Sequence, residues 1–537
     1  MKNVILDCTL RDGGYYNNWD FPMDLVQDYL TAMEDSKIDI VEIGFRSLLN
    51  NGFKGPYAYS TDGFLNNIDI PEKLKICVMV NGTELIKGGE YSKSRLDLLF
   101  PNTSLNSKVD IVRIACHYKD FKEALKSVNP LLNKGYSVGF NIMQIAQCND
   151  DEIISVGLDA SKYNIDVLYF ADSFGGMTPS SVESIINLLR LNWKGQMGIH
   201  THDNMGLALQ NTIKANSMGV TWLDSTVTGM GRGPGNAKTE ELIMELFNKN
   251  EDLSKTASLL KLLKNHFIPL QKAYEWGKNP YYFLSGKFGI HPSYIQKMLS
   301  DSRYNETDML AVIDHLKGDG IRKYNEEKLN NILNFYDKSS KGTWDPQSII
   351  KDREVLILGT GPGVMNHRIG IQDYIKFKKP IVIALNTQCS IDSELIDYRV
   401  ACHPVRLLAD CKIHATLNQP LITPFSMLPN NVKEEFKDKS ILDFGIEIHH
   451  NNFEFNLNSC VVPNHLVMSY AFGIAGSGKA SKILLAGYDG YKDEDPRNDE
   501  MNSIIKLFVN TINSPEIIAV TPTRYDLLCQ SIYSLIQ

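Results

Sequence analysis

Residues 197–211, MGIHTHDNMGLALQN, place His200 and His202 two apart at the end of a short apolar run, just ahead of a stretch with helical spacing. Side chains alternate faces along a strand, so the two imidazoles point the same way. That arrangement suits a divalent cation once an oxygen ligand joins it. In a chain with 12 histidines an H-x-H pair is equally a product of chance. The decision rests on whether other segments bring matching chemistry to the same place.

The positioning elements are legible as β-branched runs alternating with amphipathic segments. NVILDCT, IDIVEIGF, LKICVMV, VDIVRIA, YSVGFNIM, IDVLYFAD, QMGIHTH and VTWLDSTV read as strands. PMDLVQDYLTAMEDS, DFKEALKSVNPLLNKG, DEIISVGLDASKYN, PSSVESIINLLRLN and NMGLALQNTIKANSMG read as helices between them. Eight strands with intervening helices over roughly 245 residues predict a (β/α)₈ barrel, although a doubly wound sheet is built from the same unit. In such a barrel the C-terminal strand ends converge on one rim. Those ends carry Arg11 and Asp12 after the first strand, and Glu42 to Arg46 along the second. Cys116 and His117 follow the fourth, Asp172 and Ser173 the sixth, and His200 and His202 belong to the seventh. Each has a plain structural alternative, such as a helix cap for Asp172 or a salt bridge for Arg46.

Three motifs together, DCTLRDGG (7–14), HTHDNMGLALQN (200–211) and TGMGRGPGNAKTEEL (228–242), resemble the metal-dependent DRE-TIM lyase and aldolase superfamily. Its members include hydroxymethylglutaryl-CoA lyase, isopropylmalate synthase and 4-hydroxy-2-oxovalerate aldolase, and the resemblance covers roughly residues 1–300. It implies a TIM barrel in which Asp12, His200 and His202 hold a divalent metal, Mn²⁺ or Mg²⁺, with no organic cofactor. A Lewis acid at that point takes up the charge of an enolate formed from a 2-oxo acid, and Arg11 adds a fixed donor to the same oxygen. Asp172, Arg46 and Asn236 are expected near the metal or substrate, with a simple turn as the alternative for Asn236.

The loop GMGRGPGN is closer to the GMGAGAGN form of the pyruvate aldolases than to the GERAGN of acyl-CoA-condensing synthases. FGIHPSYIQ (288–296) is similar to the aldolases' AGVYSSFL segment. The resemblance therefore implies aldol or retro-aldol chemistry between pyruvate, or another 2-oxo acid, and an aldehyde. An acyl-CoA Claisen synthase or lyase is the alternative. Two departures bear on the acid/base pair: Tyr15 stands where those aldolases place a histidine base, and His291 where they place a tyrosine. One expectation is an exchange of roles, with His291 handling the hydroxyl proton near its own working pKa and Tyr15 assisting. His117 is the rival base, and His291 has a second reading as a helix cap before Pro292.

Residues 1–249 are thus expected to form the barrel and 250–336 a helical extension packed on it, from SLLKLLKNHFIPLQKAYEW through TDMLAVIDHLKG to EEKLNNILNFY. Residues 337–351 read as a linker. Residues 352–537 form a second α/β pattern resembling the Rossmann-like domain of bacterial sialyltransferases and related glycan-cluster proteins. In VLILGTGPGVMN, Gly359, Gly361 and Gly363 are positioned to cradle a phosphate, which implies a nucleotide or nucleotide-sugar, with a tight turn as the alternative. A third reading of the whole chain makes this domain the active glycosyl-transfer module on a metal-binding scaffold. GSGKAS (476–481) is no P-loop, because Phe472 stands where its first glycine belongs.

Bulk properties fit an enzyme acting on small molecules. A net charge of −8 argues against a nucleic-acid surface. No apolar run is long enough for a membrane span, and MKNVILDCTLRDGG lacks the features of a signal peptide. Nine scattered cysteines with no C-x-x-C pair suggest reduced thiols and a cytoplasmic location. Homo-oligomers are common among related barrels.

Overall fold

The structure is a computed structural model describing residues 2–49, 52–247, 253–299, 306–318, 341–428, 430–492 and 495–535. The chain divides into two compact units, Met1–Tyr304 with Leu316–Lys323, and Asn305–His315 with Tyr324–Gln537.

In the first unit all eight anticipated strands form: β1 (Val4–Asp7), β2 (Ile40–Phe45), β3 (Lys75–Asn81), β4 (Ile111–Cys116), β5 (Ser137–Ile142), β6 (Val167–Asp172), β7 (Gln196–Thr201) and β8 (Trp222–Ser225). Each pairs in parallel with its sequence neighbours, and β8 returns to β1 to close the barrel. β2, β4 and β6 are buried at every position, which is why they read as continuous apolar runs. Inside, Leu6, Ile40, Cys77, Ile111, Val167, Tyr169 and Trp222 form an apolar floor. A charged layer lies against it: the Arg113 guanidinium stacks 4.6 Å from the Tyr169 ring.

The outer helices start where their caps dictate. Asn149 and Glu152 make a capping box for Asp150–Ala160, and Thr178 with Ser181 makes another for Pro179–Arg190. The segment read as one helix over 120–135 is two, Tyr118–Leu125 and Val128–Asn133. Pro130 has no amide to donate to the Lys126 carbonyl, so the helix breaks one turn ahead of it, at Lys126–Ser127. The helix expected from residue 204 begins at Ala208, because the Asp203 carboxylate accepts the Ala208 amide at 3.0 Å and holds a turn ahead of it.

Beyond the barrel, Ala257–Leu262 and Ile268–Tyr274 flank a π-turn at Leu263–Phe267, ahead of Pro269. Pro280–Phe288 and Pro292–Leu299 follow. Glu306–Gly318 is helical as the spacing predicts, while EEKLNNILNFY lies outside the described residues.

The second unit is built on seven parallel strands: β9 (Glu354–Leu358), β10 (Ile381–Leu385), β11 (Tyr398–Val400), β12 (Leu421–Thr423), β13 (Ile441–Asp443) and, after a small three-stranded sheet, β14 (Lys482–Ala486) and β15 (Glu516–Ala519). Their spatial order is β13-β12-β11-β10-β9-β14-β15. Successive strands run one way from β9 and the last two lie on its other side, so the order reverses at β9. Among the described residues no helix is long and apolar enough to cross a membrane.

Candidate metal centre and its ionic ring

Asp12 leaves β1 within the first turn of the helix Thr9–Asn17, while His200 and His202 point inward from the end of β7. All three are buried, with their ligating atoms within 4.8 Å of one another. Nε2 of His200 lies 3.6 Å from Asp12 Oδ2, and Nε2 of His202 lies 3.8 Å from it.

The other ring nitrogens settle the tautomers. His202 Nδ1 is 3.0 Å from the Asp172 carbonyl oxygen, which can only accept, so Nδ1 carries the hydrogen. His200 Nδ1 donates likewise to the Asp224 carboxylate at 2.9 Å. In its neutral form each ring therefore turns an Nε2 lone pair toward the Asp12 carboxylate. Three acceptors gathered in a buried site call for a cation, and two imidazoles with one carboxylate suit a divalent metal.

Charge balance agrees. Arg11 donates through Nη1 to Asp12 Oδ1 at 2.7 Å and through Nε to Glu42 Oε2 at 2.7 Å. Glu42 accepts from Arg113 Nε at 2.8 Å and Nη2 at 2.7 Å, and Arg113 Nη1 reaches Asp224 Oδ2 at 2.5 Å. Asp12, Arg11, Glu42, Arg113, Asp224 and His200 thus form a closed ring. It sets three carboxylates against two guanidiniums, and the surplus negative charge is what a cation would offset. Burial works to raise the Asp12 and Glu42 pKa values, but the guanidiniums outweigh it and hold both below the usual carboxylate range. Burial lowers the pKa of His200 despite Asp224, which favours the neutral ligand form.

Two details mark the working face. Arg11 Nη2 is buried without a partner, a donor left for something bound beside Asp12. Asn236 donates through Nδ2 to Asp12 Oδ2 while its own Oδ1 has no partner, and its backbone forms a β-bridge opposite His202, so it lies at the centre and not in the turn. Gly231 must be glycine, since a Cβ there would sit 2.7 Å from Asn236 Nδ2 and 3.2 Å from Asp12 Oδ2.

The remaining sequence candidates separate. Asp172 contributes its carbonyl to His202, while its carboxylate accepts the amides of Gly176 at 3.0 Å and Met177 at 3.1 Å and is pushed by burial up to about 6. His291 is buried, its ring edge-on to Phe174. Its Nδ1 accepts the Ser293 amide at 3.2 Å, so it does cap the helix that follows, and its hydrogen sits on Nε2. Burial, with Arg232, His202 and His117 nearby, pushes its pKa down to about 2. That corrects the expectation of a group titrating near neutrality. His117 opens the helix Tyr118–Leu125, and Tyr15 stands half-exposed against Trp19.

Arg46 is not brought to the centre. Its guanidinium is spent on the Ser60 and Leu99 carbonyls and on Asp62. Gly359, Gly361 and Gly363 lie in the turn after β9, where the Gly363 amide donates to Asp489 Oδ2 at 3.1 Å. A Cβ at Gly361 or Gly363 would collide with that carboxylate. The place expected to receive a phosphate holds the protein's own anion, and these glycines make room for it.

Arg113 and Asp224 were absent from the site candidates. The available signal was a lone arginine and a lone aspartate inside the apolar runs VDIVRIA and VTWLDSTV, where an unpaired charge would be prohibitive.

Residues 2–265 match the HMGL-like family. The 4-hydroxy-2-oxovalerate aldolase of Pelotomaculum thermopropionicum is 27% identical over 245 residues, covering 45% of this chain and 69% of that protein. The oxaloacetate decarboxylase of Mycobacterium tuberculosis is 24% identical over 246 residues, with the same two coverages of 45% and 69%. Among solved structures, the N-terminal domain of a proposed aldolase from Bacteroides vulgatus is 33% identical, with a TM-score of 0.49, over 56% of this chain and 97% of that one.

Proposed function

We propose that this chain, whose residues 2–265 match the HMGL-like family, uses its barrel as a divalent-metal-dependent aldolase that joins or releases pyruvate and an aldehyde. The observation that carries the reading is the pair of bare imidazole lone pairs facing the Asp12 carboxylate, beside the unpartnered Arg11 Nη2. The relatives named for aldolase and decarboxylase activity support the pyruvate side of it.

Asp12, His200 and His202 would hold Mn²⁺ or Mg²⁺, which supplies Lewis acidity to the keto group of a 2-oxo acid when bound. Arg11 is fixed by Asp12 and Glu42 and donates Nη2–H to the oxygen that gains charge as the enolate forms. Because Arg11 is already oriented, little reorganisation accompanies that step. His291 stays neutral and offers its Nε2–H to the aldehyde oxygen, or to the hydroxyl it becomes. His117, near enough for its charge to act on the His291 ring, takes and returns the proton, with Tyr15 at the rim. The apolar floor excludes water from below, which strengthens each of these interactions.

The test is hydrogen–deuterium exchange at the pyruvate methyl group in D₂O, followed by NMR with and without Mn²⁺. Enolisation is common to any aldehyde acceptor, so the acceptor need not be known. Metal-dependent exchange that disappears in Arg11→Ala and His200→Ala is expected. Native protein that binds Mn²⁺ and catalyses no exchange would overturn the reading.

A further inference from the structure

Every arginine considered so far in the barrel is neutralised or bonded: Arg11 and Arg113 within the ring, Arg46 by Asp62. Arg232 is different. It interrupts a loop otherwise made of Gly, Met, Pro and Asn, and follows directly on Gly231, where a Cβ would meet Asp12 and Asn236. Its guanidinium lies 5.5 Å from the centre of the half-exposed Tyr15 ring. Tyr15 meets Trp19 edge-on at 4.8 Å, and Lys54 Nζ lies 5.5 Å from the Trp19 ring. Among the described residues neither Arg232 nor Lys54 forms an ion pair or a side-chain hydrogen bond.

Two cations without acids therefore bracket an aromatic pair at the rim. The protein as a whole carries a net charge of −8, so this local excess runs against the bulk. The positive charge of Arg232 also reaches inward far enough to act on the buried His291. A guanidinium stacked on an aromatic ring keeps its N–H edge free for an anion.

We propose that Arg232 binds an anionic group on the aldehyde, so that the acceptor is a carboxylated or phosphorylated aldehyde. The inference rests on the aldolase reading for the word aldehyde, but the anion site itself is testable without turnover.

Isothermal titration of the Mn²⁺-loaded protein, with pyruvate present to fill the inner site, would use succinate, glycerol 3-phosphate and neutral glycerol as probes. One of the two anions is expected to bind native protein at least tenfold more tightly than glycerol. That preference should fall at least tenfold in Arg232→Ala, recover in part in Arg232→Lys, and weaken with added salt. Preference for succinate assigns a carboxylate, and preference for glycerol 3-phosphate a phosphate. Anions that bind native and Arg232→Ala alike, or no better than glycerol, overturn the proposal. Arg232-dependent binding without pyruvate exchange would discard the aldolase reading and keep the anion site. Exchange without Arg232-dependent binding would discard this inference alone.

Discussion

His200 and Asp224 are joined by a 2.9 Å hydrogen bond, and the same Asp224 oxygen also receives Arg113 Nη1 at 2.5 Å. One carboxylate oxygen thereby fixes the tautomer of a metal-facing imidazole and balances a buried guanidinium. The two tasks respond to the same substitution through different measurements.

Asp224→Asn keeps the shape and removes the charge. Metal affinity should fall about 10–100-fold, the range for losing such an outer partner. Leaving Arg113 short of a counter-charge should cost about 3–5 kcal/mol of stability. Mn²⁺ titration and urea unfolding read the two effects, and native-like Mn²⁺ affinity would show that Asp224 does not orient His200.

Arg11→Lys retains a positive charge but cannot contact Asp12, Glu42 and a substrate oxygen together. Pyruvate exchange should drop about 10²–10³-fold, as for loss of an oxyanion donor. Mn²⁺ affinity should change much less. Equal losses in both would place Arg11 in metal binding alone.

His291 stays neutral from about pH 4 upward, since its pKa lies at about 2. His291→Ala should therefore lower aldol turnover about 10–100-fold without moving any limb of the pH–rate profile between pH 5 and 8. Disappearance of a limb in that variant would mean that His291 titrates in the working range.

Glu240 accepts the Thr228 amide at 3.0 Å, and burial pushes its pKa up to about 7. A carboxyl that holds its proton more tightly when folded stabilises the protein fully below its unfolded pKa of about 4.5, and that contribution is lost as pH rises through about 7. Native protein should lose up to about 3 kcal/mol relative to Glu240→Gln between pH 4.5 and 8. Thermal unfolding across that range gives the comparison, and parallel curves would refute it.

The barrel was legible because its strands are buried on both faces and stand out as apolar runs even in single-sequence form. Asp12, His200 and His202 were legible through motif and strand periodicity. The ion-pair ring was not, because Arg113 lies 71 residues from Glu42 and 111 from Asp224, and such pairing leaves no local pattern. The glycines after β9 mark a second limit. G-x-G-x-G records that something must approach the backbone closely, without saying whether it is a phosphate or Asp489.

The closed ring has a consequence for how this sequence can drift. A member exchanged alone leaves its neighbour a stranded charge, so the first step away from the present set passes through a poorly folded protein. Change becomes tolerable when two members alter together, for example Glu42 with Arg113. Substitutions at these six positions should therefore arise as linked sets across lineages, while the apolar floor beneath them varies residue by residue.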